Sequence, residues 1–291
     1  MLSEEILKKI QGLHFKTRRL ASDLFAGQYV SAFKGRGIEF AEVREYTPGD
    51  DIRTIDWNVS ARFGHPFVKV FHEERELTVI LLLDISGSHF FGTRGRLKRE
   101  LLAEVAGMLA FLAIRTNDKV GALLFSSKVE KYIPPKKGAS HVWRLIKEIF
   151  TYKPEDLTTN LDTALTYLNK ICRRHAIVFL ISDCIDEGFE KTLRLTAKRH
   201  DLTVIHIIDP SEEVLPDVGL ISMRDPETGE NVIINSSNRY VRKRWSNYIT
   251  EEKRKLKDLL NNLGVDMVEL TTNGLVVEPL MRLFERKGRR Q

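Results

Sequence analysis

Three oxygen-bearing side chains stand at alternate positions in the segment Asp84-Ile85-Ser86-Gly87-Ser88, directly after the apolar run that begins at Leu77. Alternate side chains in a tight loop after a strand project the same way, so a carboxylate and two hydroxyls converge. Other segments can join them. Thr158 and Thr159 precede Asn160 at the start of a helical pattern, and Asp183 follows a second apolar run, His175 to Ser182. Carboxylates and hydroxyls are hard oxygen donors, the set that a Mg²⁺-like cation takes in octahedral coordination while keeping some of its water. This set neutralises a divalent cation only in part, leaving it able to accept a carboxylate from another molecule. Asp-x-Ser-x-Ser alone is a weak signal, because Asp and Ser also serve in turns and helix caps. The ordered recurrence of all three segments is what points to a cation site.

The elements before these residues must position them. LTVILLLD (77–84) and HAIVFLIS (175–182) are apolar on both faces, as strands buried between helical layers must be. From Leu77 onward such runs alternate with helical patterns: Leu97, Leu101, Leu102, Val105, Leu109 and Leu112, an amphipathic helix; then His141 to Phe150, Asn160 to Ile171 and Phe189 to Arg199. KVGALLFSS and KVEKYI read as two strands joined by a tight turn, LTVIHIID and VDMVELT as later strands, and Val276 to Arg286 as the last helix. The alternation predicts an α/β fold, a mostly parallel sheet of about six strands flanked by helices. Ligands of such open sheets bind outside the carboxyl ends of the strands, where the topology reverses. Around the turn residues DPETG, two alternating runs predict an inserted β-hairpin over about 218–237 that decorates the sheet. Trp245, Ile249, Leu256, Leu260 and Leu263 mark the apolar side of a helix whose basic sides read as solvated.

The 291 residues, 42% hydrophobic and 9% aromatic, suffice for a sizeable core and exclude a disordered tail. The longest purely apolar runs fall far short of the roughly 18 to 20 residues of a membrane span. The N-terminal MLSEEILKKIQ is broken by Glu4, Glu5, Lys8 and Lys9, unlike a secretory signal. A cytoplasmic protein without a membrane span is the expectation. The two cysteines, Cys172 and Cys184, supply neither a disulfide framework nor zinc-site spacing. The net charge of +6 comes from acids and bases interleaved along the chain. Arg242 to Arg244 and the terminal ERKGRRQ could contact phosphates, but no stacking motif or nucleic-acid module accompanies them. Nucleic-acid binding is the weakest of the readings.

Residues 1–76 differ from the main domain, 77–291, and read as an N-terminal accessory region packed on it. Ile6, Ile10 and Leu13, with Leu20 and Leu24 further on, have helical spacing; a Gly-rich and charge-rich stretch then runs to Phe71. Arg44, Glu45, Asp50, Asp51, Arg53, Asp56, Trp57 and Arg62 place acids beside bases. An adjacent arginine holds a carboxylate ionised, which argues against a general acid. The cluster reads as a salt-bridged partner-docking surface formed by Arg44, Asp50, Asp51, Arg53, Asp56, Trp57 and Arg62. Lys34 to Gly37 lacks the GxxxxGK[ST] pattern and reads as a turn. The eight histidines are dispersed, and His175 and His206, in or beside apolar strands, read as structural. No GxSxG surrounds Ser86 or Ser88, and the sequence identifies no partner histidine. A metal-dependent, phosphatase-like hydrolase using the same cation is the alternative from a different functional class.

The order of the DxSxS loop, the Thr-Asn helix start and the strand-terminal aspartate resembles the von Willebrand factor A domain with its metal-ion-dependent adhesion site. Asp84, Ser86, Ser88, Thr159 and Asp183 fall on its motif positions. Thr158 stands where that family often has Gly, so either threonine could be the ligand; Thr159, next to Asn160, is taken. The stretch KGRGIEFAEVREYTPGDDIRTIDWNVSARFGHPFVKVFHEERELTVILLLDISGS also resembles the signature of the bacterial domain-of-unknown-function family 58. His89 stands where such families often have Met after the second serine, and many relatives carry N-terminal membrane helices that this sequence lacks. The resemblance implies a von Willebrand A-like (Rossmann-like) fold and a non-enzymatic protein-interaction module that holds one divalent cation, Mg²⁺ or Mn²⁺. It also implies action with a MoxR-type AAA+ ATPase in chaperone-like assembly or maturation of an unidentified client protein.

Overall fold

Continuous apolar runs make the central strands here, because a strand covered on both faces has no position where a polar side chain meets water. The computed structural model describes residues 23–33, 39–72, 76–93, 96–227 and 229–290. Helix α1 (Asp23–Phe33) precedes strand β1 (Glu39–Glu45), helix α2 (Trp57–Phe63) and strand β2 (Phe67–His72). Strand β3 (Thr78–Asp84), helix α3 (Lys98–Arg115) and strands β4 (Lys119–Phe125) and β5 (Val129–Lys136) follow. Then come α4 (Ala139–Thr151), α5 (Leu161–Ile171), β6 (Ile177–Ser182), α6 (Glu190–Arg199), β7 (Asp201–Ile208) and the single turn α7 (Pro210–Glu213). The chain closes with β8 (Leu220–Arg224), β9 (Asn231–Asn235), α8 (Arg239–Asn262), β10 (Asp266–Thr271) and α9 (Val277–Gly288). The predicted helix around Ile6, Ile10 and Leu13 and the turn at Lys34 to Gly37 lie outside the described residues.

The main sheet has six strands in the order β5-β4-β3-β6-β7-β10, with β5 antiparallel to β4 and all other pairs parallel. Counted along the chain, these strands lie in the order 3-2-1-4-5-6, so the winding reverses between β3 and β6. Along β3, side chains alternate between two cores as strand pleating requires. Val79, Leu81 and Leu83 face the core shared with α1, α3, α4 and α9, whereas Ile80 and Leu82 face the one shared with α5, α6 and α8. The expected α/β architecture is the one observed, and the hairpin β8–β9 pairs only with itself beside the sheet.

Two features depart from the sequence pattern. Spacing predicts an amphipathic helix after Leu97, but α3 is buried on nearly every side, Lys98 and Glu104 included, because α1 and α4 close over the side away from the sheet. The charge-rich stretch before Leu77 shows no strand signal, yet β1 and β2 form an antiparallel pair with a bulge near Glu42. Glu42, Arg44 and Glu45 are exposed there, so polar residues dilute the alternation that marks a half-buried strand.

Helix α1 contributes Phe25, Tyr29 and Phe33 to the main core, where the Phe284 ring of α9 meets all three at centroid distances of 5.3, 5.7 and 5.6 Å. Among the described residues, no helix is long and apolar enough to cross a membrane.

Phe284→Ala should lower unfolding stability by about 3–5 kcal/mol through the cavity it opens, measured as a shift of the urea midpoint. A loss below about 1 kcal/mol would mean that α1 and α9 are not part of the cooperative unit. A second expectation concerns acid. Burial first, then the nearby Arg199 and His175 charges, lower the His200 imidazole from 6.5 to about 4. Below pH 6.5 the unfolded chain takes up a proton that the folded chain refuses, so this stability is complete above pH 6.5 and is lost between 6.5 and 4. In His200→Gln the plot of unfolding free energy against pH should be shallower in that window by up to about 1.4 kcal/mol per pH unit. Parallel plots would refute the assignment.

Candidate metal centre

Strand register brings the oxygen donors together. β3 and β6 are adjacent and parallel, with Leu83 opposite Ile181, so Asp84 at the end of one strand and Asp183 just past the other leave the sheet side by side. Both are buried, as are Ser86, Ser88, His89 and Ser182. The Ser86 backbone N–H donates to Asp84 Oδ1 at 3.0 Å, and the Ser182 hydroxyl donates to Asp84 Oδ2 at 2.6 Å. Ser182 Oγ in turn accepts from the Cys184 N–H at 2.8 Å, which locks its proton toward Asp84. The Ser86 and Ser88 hydroxyls lie 3.2 Å apart. A ligating atom of each of Asp84, His89 and Asp183 falls within 4.8 Å of the others, a spacing that a single metal ion can bridge.

The loop before α5 is docked on this cluster by its backbone. Leu157 O accepts from the Gly87 N–H at 2.7 Å, and Ser126 O accepts from the Asn160 N–H at 3.0 Å. Asn160 then caps α5, its side chain accepting from the Thr163 N–H at 2.8 Å. The two threonines separate here. The Thr158 hydroxyl donates to Asp156 within its own turn, at 3.1 Å, whereas the Thr159 hydroxyl donates to Glu227 of the β8–β9 hairpin, at 2.7 Å.

Charge balance in the site comes from a residue that the motif does not contain. Lys98, wholly buried at the start of α3, places its ammonium 3.2 Å from Asp183 Oδ2 and 2.5 Å from Glu212 Oε1 of α7. Burial pushes the Asp183 carboxyl up, but the Lys98 ammonium and the His89 imidazole outweigh it and hold Asp183 well below the usual carboxylate range. Burial likewise opposes charge on Lys98, and Asp183 and Glu212 raise its pKa in spite of that. His206 on β7 pins the Asp183 backbone, with Nε2 2.9 Å from its carbonyl oxygen. Burial keeps that imidazole below its ordinary value, against the opposing effect of Asp183 and Glu269.

Among the buried polar atoms without a hydrogen-bond partner, which also include both His200 ring nitrogens away from the site, are Asp183 Oδ1, His206 Nδ1 and both ring nitrogens of His89, whose Nε2 lies 3.7 Å from Asp84 Oδ2. Buried polar atoms are almost always paired. An unpaired carboxylate oxygen beside two buried hydroxyls and a second carboxylate is the donor set a divalent cation fits. The structure thus gathers Asp84, Ser86, Ser88 and Asp183 into one cluster, while the Thr159 hydroxyl is engaged by Glu227. It also adds Ser182, His89, Lys98, Glu212 and Glu227, which sequence reasoning did not place there. The signal for Lys98 was a cation opening an otherwise apolar helix. The Ser182 signal was a hydroxyl ending an apolar strand. Nothing local distinguished Glu227 from an ordinary turn residue.

The other cluster lies on the β1–β2 and α2 segment. Arg44 and Asp50 form a two-pronged pair at 2.7 and 2.6 Å, which holds Asp50 far below the ordinary carboxylate range. Asp51 and Asp56 are engaged as caps, accepting from Arg53 N–H and from the Asn58 and Val59 N–H groups, and Asp56 also pairs with Lys69 at 3.4 Å. Arg53, Trp57 and Arg62 are exposed, with Ile52 and Phe63 beside them. Along α8, Lys253 pairs with Glu213 and Glu269, and Arg254 with Glu251 and Asp258.

Fold and site together define a doubly wound α/β domain with an oxygen-rich, metal-compatible centre at its switch point. Residues 42–255 match the family described as "Protein of unknown function DUF58", and the chain belongs to that family. It is 31% identical over 223 residues to the uncharacterized protein Rv1480 of Mycobacterium tuberculosis, covering 76% of this chain and 70% of the relative. It is 27% identical over 109 residues to YeaD of Bacillus subtilis, covering 38% of this chain and 25% of that protein. Among solved structures it is similar to BatB from Bacteroides thetaiotaomicron, with a TM-score of 0.49 and 15% identity over 73% of this chain and 99% of that one. It is also similar to the VWA domain of SpRpn10, with a TM-score of 0.39 and 10% identity over 75% of this chain and 96% of that one.

Replacing Lys98 by Met should leave the buried Asp183 and the half-buried Glu212 without the Lys98 counter-charge, at a cost of about 3–5 kcal/mol. Divalent cation should return much of that loss by compensating Asp183. Thermal denaturation of Lys98→Met with Mn²⁺ and with a chelator checks this; a variant as stable as wild type in chelator would contradict the role given to Lys98.

Proposed function

We propose that this chain is a non-enzymatic, divalent-cation-dependent protein-interaction module. Asp84, Ser86, Ser88, Thr159 and Asp183 would hold Mg²⁺ or Mn²⁺, with His89 as a further donor, and an acidic side chain of the partner would complete the coordination. The observation that carries this reading is the buried trio Asp84, His89 and Asp183 within bridging distance of one another, with Asp183 Oδ1 unpartnered. When bound, the cation supplies a Lewis-acidic centre for a carboxylate. The chain's own residues prepare that centre: Ser182 orients the Asp84 carboxylate, Lys98 keeps Asp183 ionised, and His206 fixes the backbone that carries it. An imidazole donor favours Mn²⁺ over Mg²⁺, since Mg²⁺ prefers an all-oxygen shell.

The partners belonging to this reading are a MoxR-type AAA+ ATPase and a client protein, acting in the cytoplasm in chaperone-like assembly or maturation. They rest on the family resemblance. The exposed Trp57, Arg53 and Arg62 surface is the second place where a partner would dock. A hydrolytic reading gains one observation, a buried imidazole beside Asp84 with both ring nitrogens unpaired, which supplies the base that the sequence did not reveal.

Asp84→Ala should weaken Mn²⁺ binding on the order of 100-fold in calorimetric titration while leaving the circular dichroism spectrum intact. Equal binding by variant and wild type would sink the cation site. Wild type should also leave p-nitrophenyl phosphate unhydrolysed in Mn²⁺; turnover abolished by Asp183→Ala would replace the binding reading with the hydrolytic one.

A further inference from the structure

The tip of the β8–β9 hairpin is built to reach the cation site. Its turn is pinned internally: the Asp225 N–H donates to Glu230 O at 2.8 Å, the Gly229 N–H to Asp225 O at 2.9 Å, and the Glu227 N–H to Asp225 Oδ1 at 2.8 Å. The described residues of the tip sit directly on the DxSxS loop. A Cβ at Gly87 would lie 2.3 Å from Pro226 O and 2.8 Å from its carbonyl carbon, so the contact exists only because residue 87 has no side chain. One residue on, Glu227 turns inward. Its Oε1 accepts the Thr159 hydroxyl at 2.7 Å, which sets a carboxylate against one of the proposed ligands.

A further carboxylate added to a site that holds Asp84 and Asp183 brings more negative charge than the single Lys98 ammonium, itself shared with Glu212, balances. Away from the tip the hairpin strands pack little against the domain. Leu220 and Ile233 are 74% and 72% exposed, and a two-stranded sheet by itself is marginally stable. The buried Asp183 Oδ1 without a partner, beside the unpartnered His89 ring, shows where the missing positive ligand belongs.

We infer that Glu227 is a tethered internal ligand of the cation site, occupying the position that the proposed reading gives to a partner's acidic side chain. This rests on the cation-dependent reading and adds its regulation. An acidic segment of a client engages the cation only by displacing Glu227, and the hairpin swings away when it does. A tethered carboxylate has an effective concentration in the millimolar range, so a single free carboxylate competes poorly and a client must add contacts elsewhere. The exposed apolar side chains Leu220, Val232 and Ile233 move with the tip, so displacement by a client changes the surface the protein presents.

The test uses the full chain, wild type and Glu227→Gln. Glutamine can still accept from Thr159, so the variant removes charge while keeping the hydrogen bond. Mn²⁺ affinity should fall on the order of 10-fold in Glu227→Gln. Hydrogen exchange at residues 220–235 should slow on the order of 10-fold when Mn²⁺ is added to wild type, and not in the variant. Acetate at high concentration, as a free carboxylate probe, should restore fast exchange in wild type. Equal Mn²⁺ affinity with hairpin exchange indifferent to Mn²⁺ would overturn the internal ligand while leaving the cation site standing. Exchange that Mn²⁺ slows but acetate leaves slow would make Glu227 a permanent ligand and overturn its displacement. Failure of Mn²⁺ to bind wild type at all would remove both the latch and the reading beneath it, and Asp84→Ala as the control separates that case from the others.

Discussion

Two carboxylates cannot be carried into a buried strand-end site without compensation. Desolvating an unpaired ion costs several kcal/mol, and Asp84 and Asp183 are both almost inaccessible to solvent. Much of the surrounding structure answers that constraint. The Ser182 hydroxyl and the Ser86 N–H serve Asp84, and the Lys98 ammonium serves Asp183. The lysine reaches this depth because α3 begins at the edge where β3 ends, and its own burial is balanced by Glu212 from α7. Elements from opposite sides of the winding thus meet on one ion pair.

Compensation is incomplete, and the residue of charge is what makes the site chemically interesting. Asp183 keeps one oxygen without a partner, and His89 keeps two nitrogens. Protein interiors rarely leave such atoms unpaired, whereas ligand sites do so routinely, because the missing partner is the ligand. The parallel pairing of β3 with β6 holds the two aspartates at fixed separation, so the sheet acts as a rigid base for the donor set.

The segments outside the sheet divide into those that stabilise this base and those that address it. Helix α1 belongs to the first kind, its aromatic rings locked against Phe284. The β8–β9 hairpin belongs to the second, with solvent-facing strands and a tip that meets the DxSxS loop through Pro226 and Thr159 through Glu227. The β1–β2 and α2 segment presents an exposed Trp57, and its Arg44–Asp50 pair closes the turn that follows β1.

Some of this was legible in the residues alone. Both-face apolar runs at 77–84 and 175–182 read as buried strands, because burial between helices leaves no polar position. The DPETG turn between two alternating runs read as a hairpin, because turn chemistry is local. Aspartate after each apolar run placed two acids at one edge once the sheet was taken as parallel. Other features depend on residues far apart in the chain. Lys98 meets Asp183 across 85 positions, and Thr159 meets Glu227 across 68. The choice between Thr158 and Thr159 shows the same limit: their side chains are chemically identical and adjacent, and only the turn that ties Thr158 to Asp156 leaves Thr159 facing the hairpin. Local sequence determines which strands and turns form, because propensity and periodicity act over a few residues. Which buried charges find partners, and which atoms are left for a ligand, is decided only when the sheet order brings distant segments to one edge.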